Sequence, residues 1–412
     1  MNIKPICTAP TASEIEGRVT RVQARLADEG LDYYLCHDPD NVFYLTNFAN
    51  FVHERPFILL VPAKGKPIFL MPKLEEPHVR IRSVGELEYL NYFEFPAPKG
   101  QEWFDKLQEV LQPEHRVGVE SVCPLQVVEA VIGTAVCSDI VDDVRMIKTE
   151  YEIGRIAYSS QLVSEGHETL LAMARPGRMV IDIYSEVSRK ILQKILLDNP
   201  NTNMLNTQMR GIIQPPSLSH DSHNFTDTFV VLAEGGPHVT IVAGLANGYG
   251  AEVERTFFLG EVPEEAKRPF HDMLAARELA YELTKPGNSM SEVDRQVNEL
   301  FKVRGYTDNL LHRTGHGFGV TSHEAPFLAE GYEREIQPGM VFSIEPGIYL
   351  PGIGGFRFSD TLLITETGNQ KLTYAPETLE ELTLDRSGSF RDTMHSWAIS
   401  AASRRSQKNT GG

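Results

Sequence analysis

Hydrophobic and polar positions alternate most sharply between Gly235 and Leu259, in the stretch GGPHVTIVAGLANGYGAEVERTFFL. The pattern predicts a strand over His238–Ala243, a tight turn carrying Asn and Gly, and a returning strand over Gly250–Leu259. Side chains alternate along a strand, so Glu252, Glu254 and Thr256 share one face while Val253, Arg255 and Phe257 share the other. Two carboxylates on one face lie about 7 Å apart at roughly 3.3 Å per residue. Like charges that close raise each other's pKa unless a cation or a proton sits between them. The hairpin is therefore a candidate site.

Elsewhere the periods are helical or mixed. Ser13–Gly30 reads as an amphipathic helix, followed by apolar strands at Tyr33–Cys36, Phe57–Val61 and Pro67–Met71. A helix near Glu102–Leu111, a strand near Arg116–Glu120 and a helix near Leu125–Ala135 complete a small α/β domain over residues 13–145. A helix over Thr149–Arg175 ends at Arg175-Pro176-Gly177, and a second runs from Ile181 to Leu197. The same order returns 110 positions later: a helix over Glu264–Leu283, Lys285-Pro286-Gly287, then a helix over Ser291–Val303. That recurrence predicts a duplicated domain over residues 146–383 in which two α/β halves face each other. Beyond Leu384 the chain turns Ser/Arg-rich and aperiodic, and residues 384–412 are expected to be a disordered tail.

Composition narrows the function. The 412 residues exceed one ordinary core, and the net charge of −17 argues against nucleic acid or an anionic membrane as partner. No run of eighteen apolar residues and no signal-peptide pattern occur, so a cytoplasmic protein is expected. Cys7, Cys36, Cys123 and Cys137 lack metal-binding spacing and are expected to be reduced core thiols. His220 and His238 carry no assigned role, and His238 is expected at a strand edge.

Four segments carry a likeness: HN at His223, AGLANGYGAEVERTFFLGE, RTGHGFGVTSHEAP from Arg313, and GMVFSIEPGIYLPGIGGFRFSDTLLIT from Gly339. Together they resemble the creatinase/aminopeptidase P/prolidase superfamily, which implies an α/β (α+β) chain: a small N-terminal creatinase-like domain before a C-terminal pita-bread domain with an internal pseudo-twofold duplication. Peptidases of that family hold two divalent ions with Asp, Asp, His, Glu and Glu. In this sequence the matching positions are Val242, Glu252, His316, Glu345 and Ser359, so both bridging carboxylates are missing. The resemblance thus implies either no metal or a single ion (Mn, Zn, Co or Fe) on Glu252, His316 and Glu345.

Creatinase, the metal-free branch, is the nearest in site pattern. That likeness implies His223 as the catalytic base, with Glu254, His316 and His323 as its catalytic companions. Glu252 and Glu345 would line the substrate pocket, and Arg55 would clamp a substrate carboxylate from the neighbouring subunit of a homodimer. Arg357 and Asp360 look structural. Three readings follow. The first is a metal-independent C–N hydrolase acting on a small carboxylate-bearing amidine, guanidino or cyclic amidine metabolite. The second is a metal-dependent Xaa-Pro aminopeptidase or dipeptidase with a mononuclear site, acting on a dipeptide. The third is a non-catalytic pita-bread binding protein.

Overall fold

The computed structural model describes residues 3–385 apart from 52, 226 and 228. The expected tail, with Trp397, lies almost wholly outside the described residues. The described residues divide into two compact units, one of residues 7–147 with 203–207, the other of residues 148–202 and 208–385, with residues 3–6.

The first unit is an α/β layer. Its strands are β1 (Tyr33–Cys36), β2 (Ile58–Pro62), β3 (Ile68–Pro72), β4 (Glu88–Tyr92), β5 (Arg116–Val119) and β6 (Thr134–Cys137). They form one sheet in the order β4-β3-β2-β1-β5-β6. Its helices are α1 (Ala12–Glu29), α2 (Pro39–Thr46), α3 (Glu76–Arg82), α4 (Trp103–Val110), α5 (Leu125–Glu129) and α6 (Ile140–Arg145). Leu35, Ile58, Leu60, Leu70, Trp103, Leu107 and Val117 pack into its core. Helix α5 stops well short of the expected Ala135, which lies in β6. A Cβ on Gly133 would fall 2.3 Å from the His115 carbonyl oxygen, so the glycine lets the chain press against its neighbour and leave as a strand. Among the cysteines only Cys36 is buried, and Cys137 is exposed, so the expectation of four core thiols is too broad.

The second unit opens with α7 (Glu150–Met173), started by a capping box between Thr149 and Glu152. There follow α8 (Val180–Asp198), β7 (Gln208–Gln214), α9 (Pro216–Ser219), β8 (Gly235–Ala246), β9 (Tyr249–Leu259), α10 (Glu264–Leu283) and α11 (Met290–Val303). The described residues close with β10 (Gly315–Gly317), β11 (Glu324–Leu328), β12 (Val341–Ile344), β13 (Gly347–Leu350), β14 (Gly354–Arg357), β15 (Ser359–Thr365), β16 (Gly368–Lys371) and β17 (Thr383–Leu384). One large sheet runs β11-β10-β12-β15-β9-β8-β7.

The duplication extends to single hydrogen bonds. Gly177 N donates to Leu232 O and Gly287 N to Ile336 O, while Leu232 N and Ile336 N return to Arg178 O and Asn288 O. Both glycines sit in the left-handed region, at φ 87° and 85°. The Pro-Gly turns therefore start the second helix of each half in the same way.

The β8–β9 hairpin turns through Asn247 (φ 49°) and Gly248 (φ 88°), the positive pair that a type I′ turn requires. His238, expected at a strand edge, is wholly buried, its Nε2 3.2 Å from the Ala233 carbonyl oxygen. Strand β8 begins earlier than its alternation suggests, so this histidine lies inside the sheet.

Candidate active site

Sheet register assembles the site. Glu252 and Glu254 point to one face of β9, and Ser359 of β15 pairs with Glu254. On β12, Ser343 pairs with Thr361 of β15 on one side and with His316 of β10 on the other. Antiparallel partners share a face. Glu252, Glu254, Ser359, Ser343 and His316 therefore lie on the same side of the sheet, and Glu345 projects to that side two residues past Ser343.

The same parity corrects one expectation. Val242 pairs with Val253 and faces the other way. A Cβ on Gly166 of α7 would lie 3.2 Å from its Cγ1, so Val242 is a packing residue beneath the helix. The residue of β8 on the site face, opposite Glu254, is Ile241. It offers no ligand atom, nor does the buried Ser359 supply a carboxylate. The absence of bridging carboxylates stands, at Ile241 rather than Val242.

One cluster of potential metal ligands is present among the described residues: Glu252, His316 and Glu345, each with a ligand atom within 4.8 Å of the others. His316 Nε2 lies 3.8 Å from Glu252 and 3.4 Å from Glu345. Its Nδ1 is 3.1 Å from the Gly317 carbonyl, which can only accept, so Nδ1 carries the proton and Nε2 presents a lone pair. That buried Nε2 has no hydrogen-bond partner. Burial also pushes the His316 pKa down to about 4, keeping the ring neutral. A lone pair aimed at two carboxylates is repulsive unless a cation or protons intervene. Burial drives the pKa of Glu252 up, against a hydrogen bond from Ser343. It drives Glu345 up as well, reinforced by Glu252 and Glu254. The donor set, two carboxylates and one imidazole, suits a single divalent ion.

A second ion does not fit. Glu254, the remaining carboxylate on this face, is paired with Arg357: Nη2 donates to Oε1 at 2.9 Å, and Nε lies 2.8 Å from Oε2 without hydrogen-bond geometry. Both side chains are about 5% exposed. Burial raises the Glu254 pKa to about 7, with Arg357 pulling against it. The guanidinium expected from a substrate is thus supplied by the protein. Arg357, read from sequence as structural, belongs to the site, and its Nη1 donates to Tyr349 Oη at 3.1 Å. Tyr349 Oη lies 2.7 Å from His312 Nε2. Sequence reasoning missed His312 and Tyr349, although both lie within the quoted family segments or one residue outside them.

His323 and His223, two further expected residues, lie in the same unit as this centre. His323 stacks on His316, ring centroids 3.7 Å apart and planes 17° from parallel, and burial with its charged neighbours lowers its pKa to about 4. His223 is exposed. Its electrostatic effect reaches Glu254, His312 and His323, and the carbonyl of its neighbour Ser222 accepts from Arg357 Nη1 at 3.3 Å. Arg55 belongs to the first unit, where its Nε is 3.1 Å from Glu54 and 3.6 Å from Glu94. No helix among the described residues is long and apolar enough to cross a membrane.

Known proteins resemble this chain in sequence and fold. Residues 154–366 match metallopeptidase family M24, and residues 18–147 match the creatinase/prolidase N-terminal domain. An Xaa-Pro dipeptidase of Pyrococcus furiosus is 29% identical over 276 residues, covering 66% of this chain and 77% of its own. Two solved structures superpose over nearly their full lengths. Dipeptidase PepE of Mycobacterium ulcerans has a TM-score of 0.78 at 22% identity, covering 92% of this chain and 100% of its own. The prolidase of Pyrococcus horikoshii has a TM-score of 0.76 at 23% identity, covering 88% of this chain and 99% of its own. With a family match spanning more than half its length, a matching N-terminal domain and a cluster of oxygen and nitrogen ligands on the expected face, the chain belongs to metallopeptidase family M24 and is a hydrolase of C–N bonds.

Proposed function

We propose that the chain is a metal-dependent dipeptidase of Xaa-Pro type that works with one divalent ion held by Glu252, His316 and Glu345. The observation that carries this reading is the buried, unpartnered Nε2 of His316 between two carboxylates. The dipeptidases among its relatives support the same substrate class. The metabolite reading is weaker because Glu254, the residue meant to hold a substrate guanidinium, is already engaged by Arg357.

When bound, the ion supplies a Lewis acid that polarises the scissile carbonyl and makes water acidic enough to attack near neutral pH. The chain's own residues do the rest. The Ser343 hydroxyl donates to Glu252 and the Gly317 carbonyl holds His316 in the ligand tautomer, so both ligands are oriented in advance. His323, neutral and stacked on His316, offers a ring N–H to oxygen that gains charge as the carbonyl is attacked. His223, at the exposed rim, hands a proton to the leaving nitrogen. Arg357 neutralises Glu254 where a second ion would otherwise be needed.

The test uses chelator-treated protein reloaded separately with Mn, Zn, Co or Fe. Hydrolysis of Xaa-Pro dipeptides that requires the added ion is the expected result. Ion-independent turnover of guanidino or amidine acids, with none of dipeptides, overturns the reading.

A further inference from the structure

Gln214 is the last residue of β7 and is only 1% exposed. It pairs with Val239 of β8, as Ile212 pairs with Ile241, so its side chain leaves the sheet on the site face. There its Nε2 donates to two carbonyl oxygens, Asn224 O at 3.0 Å and Asp221 O at 3.3 Å. Both partners can only accept, which fixes the orientation of the amide, and its two N–H groups serve one carbonyl each. The two carbonyls bracket Ser222 and His223.

The rest of this turn is held from the same sheet. Asn224 N donates to Asp221 O at 3.1 Å, and Arg357 Nη1 of β14 donates to Ser222 O at 3.3 Å. The turn is rooted in α9, where Ser219 Oγ donates to Pro237 O of β8 at 3.3 Å and accepts from Gly355 N of β14 at 2.9 Å. Three carbonyls around His223 are therefore bound by side chains that start in the sheet, while His223 itself stays exposed. Gln214 is not placed there for stability alone. Its Oε1 is buried without a hydrogen-bond partner, and an orphaned acceptor costs stability that a methionine or leucine in the same space would not. What the amide adds is a two-point hold on the turn.

We infer that Gln214 is a positioning residue for His223: by binding the carbonyls on either side, it aims the imidazole at the leaving nitrogen. The inference rests on the role given to His223 in the dipeptidase reading above. A proton donor acts only while it lies within hydrogen-bond reach of the atom it protonates. A misplacement of about 1 Å can cost on the order of 100-fold in rate. An exposed turn has no core of its own to prevent such a shift, so the restraint has to come from the sheet.

The experiment uses the metal-loaded enzyme and Gln214→Met, which keeps the length of the side chain and loses both donors. Ile212, Leu218 and Phe225 line an apolar cavity of about 90 Å³ with Gln214, surroundings that accept a thioether, and Gln214→Leu serves as a second variant. On an Xaa-Pro dipeptide, kcat is expected to fall roughly 10- to 100-fold with KM and metal content unchanged. The matching ester, which ends in a 2-hydroxy acid and whose leaving oxygen needs less help from a proton donor, should lose much less. In a His223→Ala background, Gln214→Met should cause no further loss. An equal loss on amide and ester, or the same loss with and without His223, makes Gln214 merely structural and overturns the inference. A wild type that hydrolyses no dipeptide with any ion removes the dipeptidase reading instead, and the hold on the turn is then read without turnover. Amide hydrogen exchange over residues 219–225 should be about tenfold faster in Gln214→Met than in wild type, with exchange in β8 and β9 unchanged. Equal rates over residues 219–225 overturn the inference.

Discussion

Strand β9 takes part in a buried arginine–carboxylate pair on each face, with Asp360 of β15 on one and Arg357 of β14 on the other, and the two pairs are built differently. On the helix-covered face, Arg255 donates to Asp360, Pro376 O, Glu254 O and Ser359 O, while Asp360 also accepts from Tyr281 and Thr373. Neither side chain is exposed at all, and the partners hold Asp360 below the usual carboxylate range despite its burial. On the site face, Arg357 grips Glu254, yet the carboxylates beside it are driven up and His316 Nε2 is left without a partner. The first pair is closed by hydrogen bonds from every side, as a structural ion pair must be to offset its desolvation. The second adjoins a buried nitrogen without a partner and carboxylates that burial drives up. Two buried ion pairs a few ångströms apart thus separate a structural role from a chemical one.

The largest effect should come from the open face. His316→Ala or Glu345→Ala is expected to lower dipeptide kcat roughly a thousandfold or more and to remove the bound ion. The unfolding midpoint of the metal-stripped protein should stay near that of the wild type. Elemental analysis and denaturant unfolding check both halves; a large loss of stability with metal retained would erase the contrast between the faces.

Asp360→Asn tests the closed face. It strips the compensating charge from a wholly buried Arg255, so stability should fall by about 3–5 kcal/mol in denaturant titration. Metal content per folded chain should not change.

A smaller effect separates Ile241 from Val242. Val242→Asp places a carboxylate beneath α7 and should cost about 2–4 kcal/mol of stability. Ile241→Asp combined with Ser359→Glu adds carboxylates to the site face, where metal titration should detect uptake of a second ion. Equal destabilisation by the two aspartates would mean that the strand faces are misassigned.

The smallest effect concerns pH. Burial lowers the pKa of His238 to about 4 and of His167 to about 3. The unfolded chain binds protons there that the folded chain does not. Their contribution is therefore full above about pH 6.5 and is lost as the pH falls towards those values, at up to about 1.4 kcal/mol per pH unit for each histidine. Urea midpoints measured at pH 7 and pH 5 should show the decline, and His238→Gln should make it shallower.

Much of this was legible along the chain because the signals are local. Period-two alternation around an Asn-Gly turn locates the β8–β9 hairpin, and the charges on alternate residues mark its working face. The Lys/Arg-Pro-Gly turns reveal the duplication. The register was legible too: with Asn247 and Gly248 as the turn, Ile241 stands six residues before it as Glu254 stands six after. Counting from the turn, rather than from the matching motif, would have chosen Ile241 over Val242. The grip of Arg357 on Glu254 was not legible, because it depends on how β15 docks against β9 across more than a hundred residues of chain.

The proposed function requires one divalent ion per chain at Glu252, His316 and Glu345. Its most direct test is elemental analysis of the purified protein, grown with Mn, Zn, Co and Fe and never exposed to chelator, alongside His316→Ala. One equivalent in the wild type and none in the variant is the predicted result. Two tightly bound equivalents, or full peptidase activity with no metal, would contradict it.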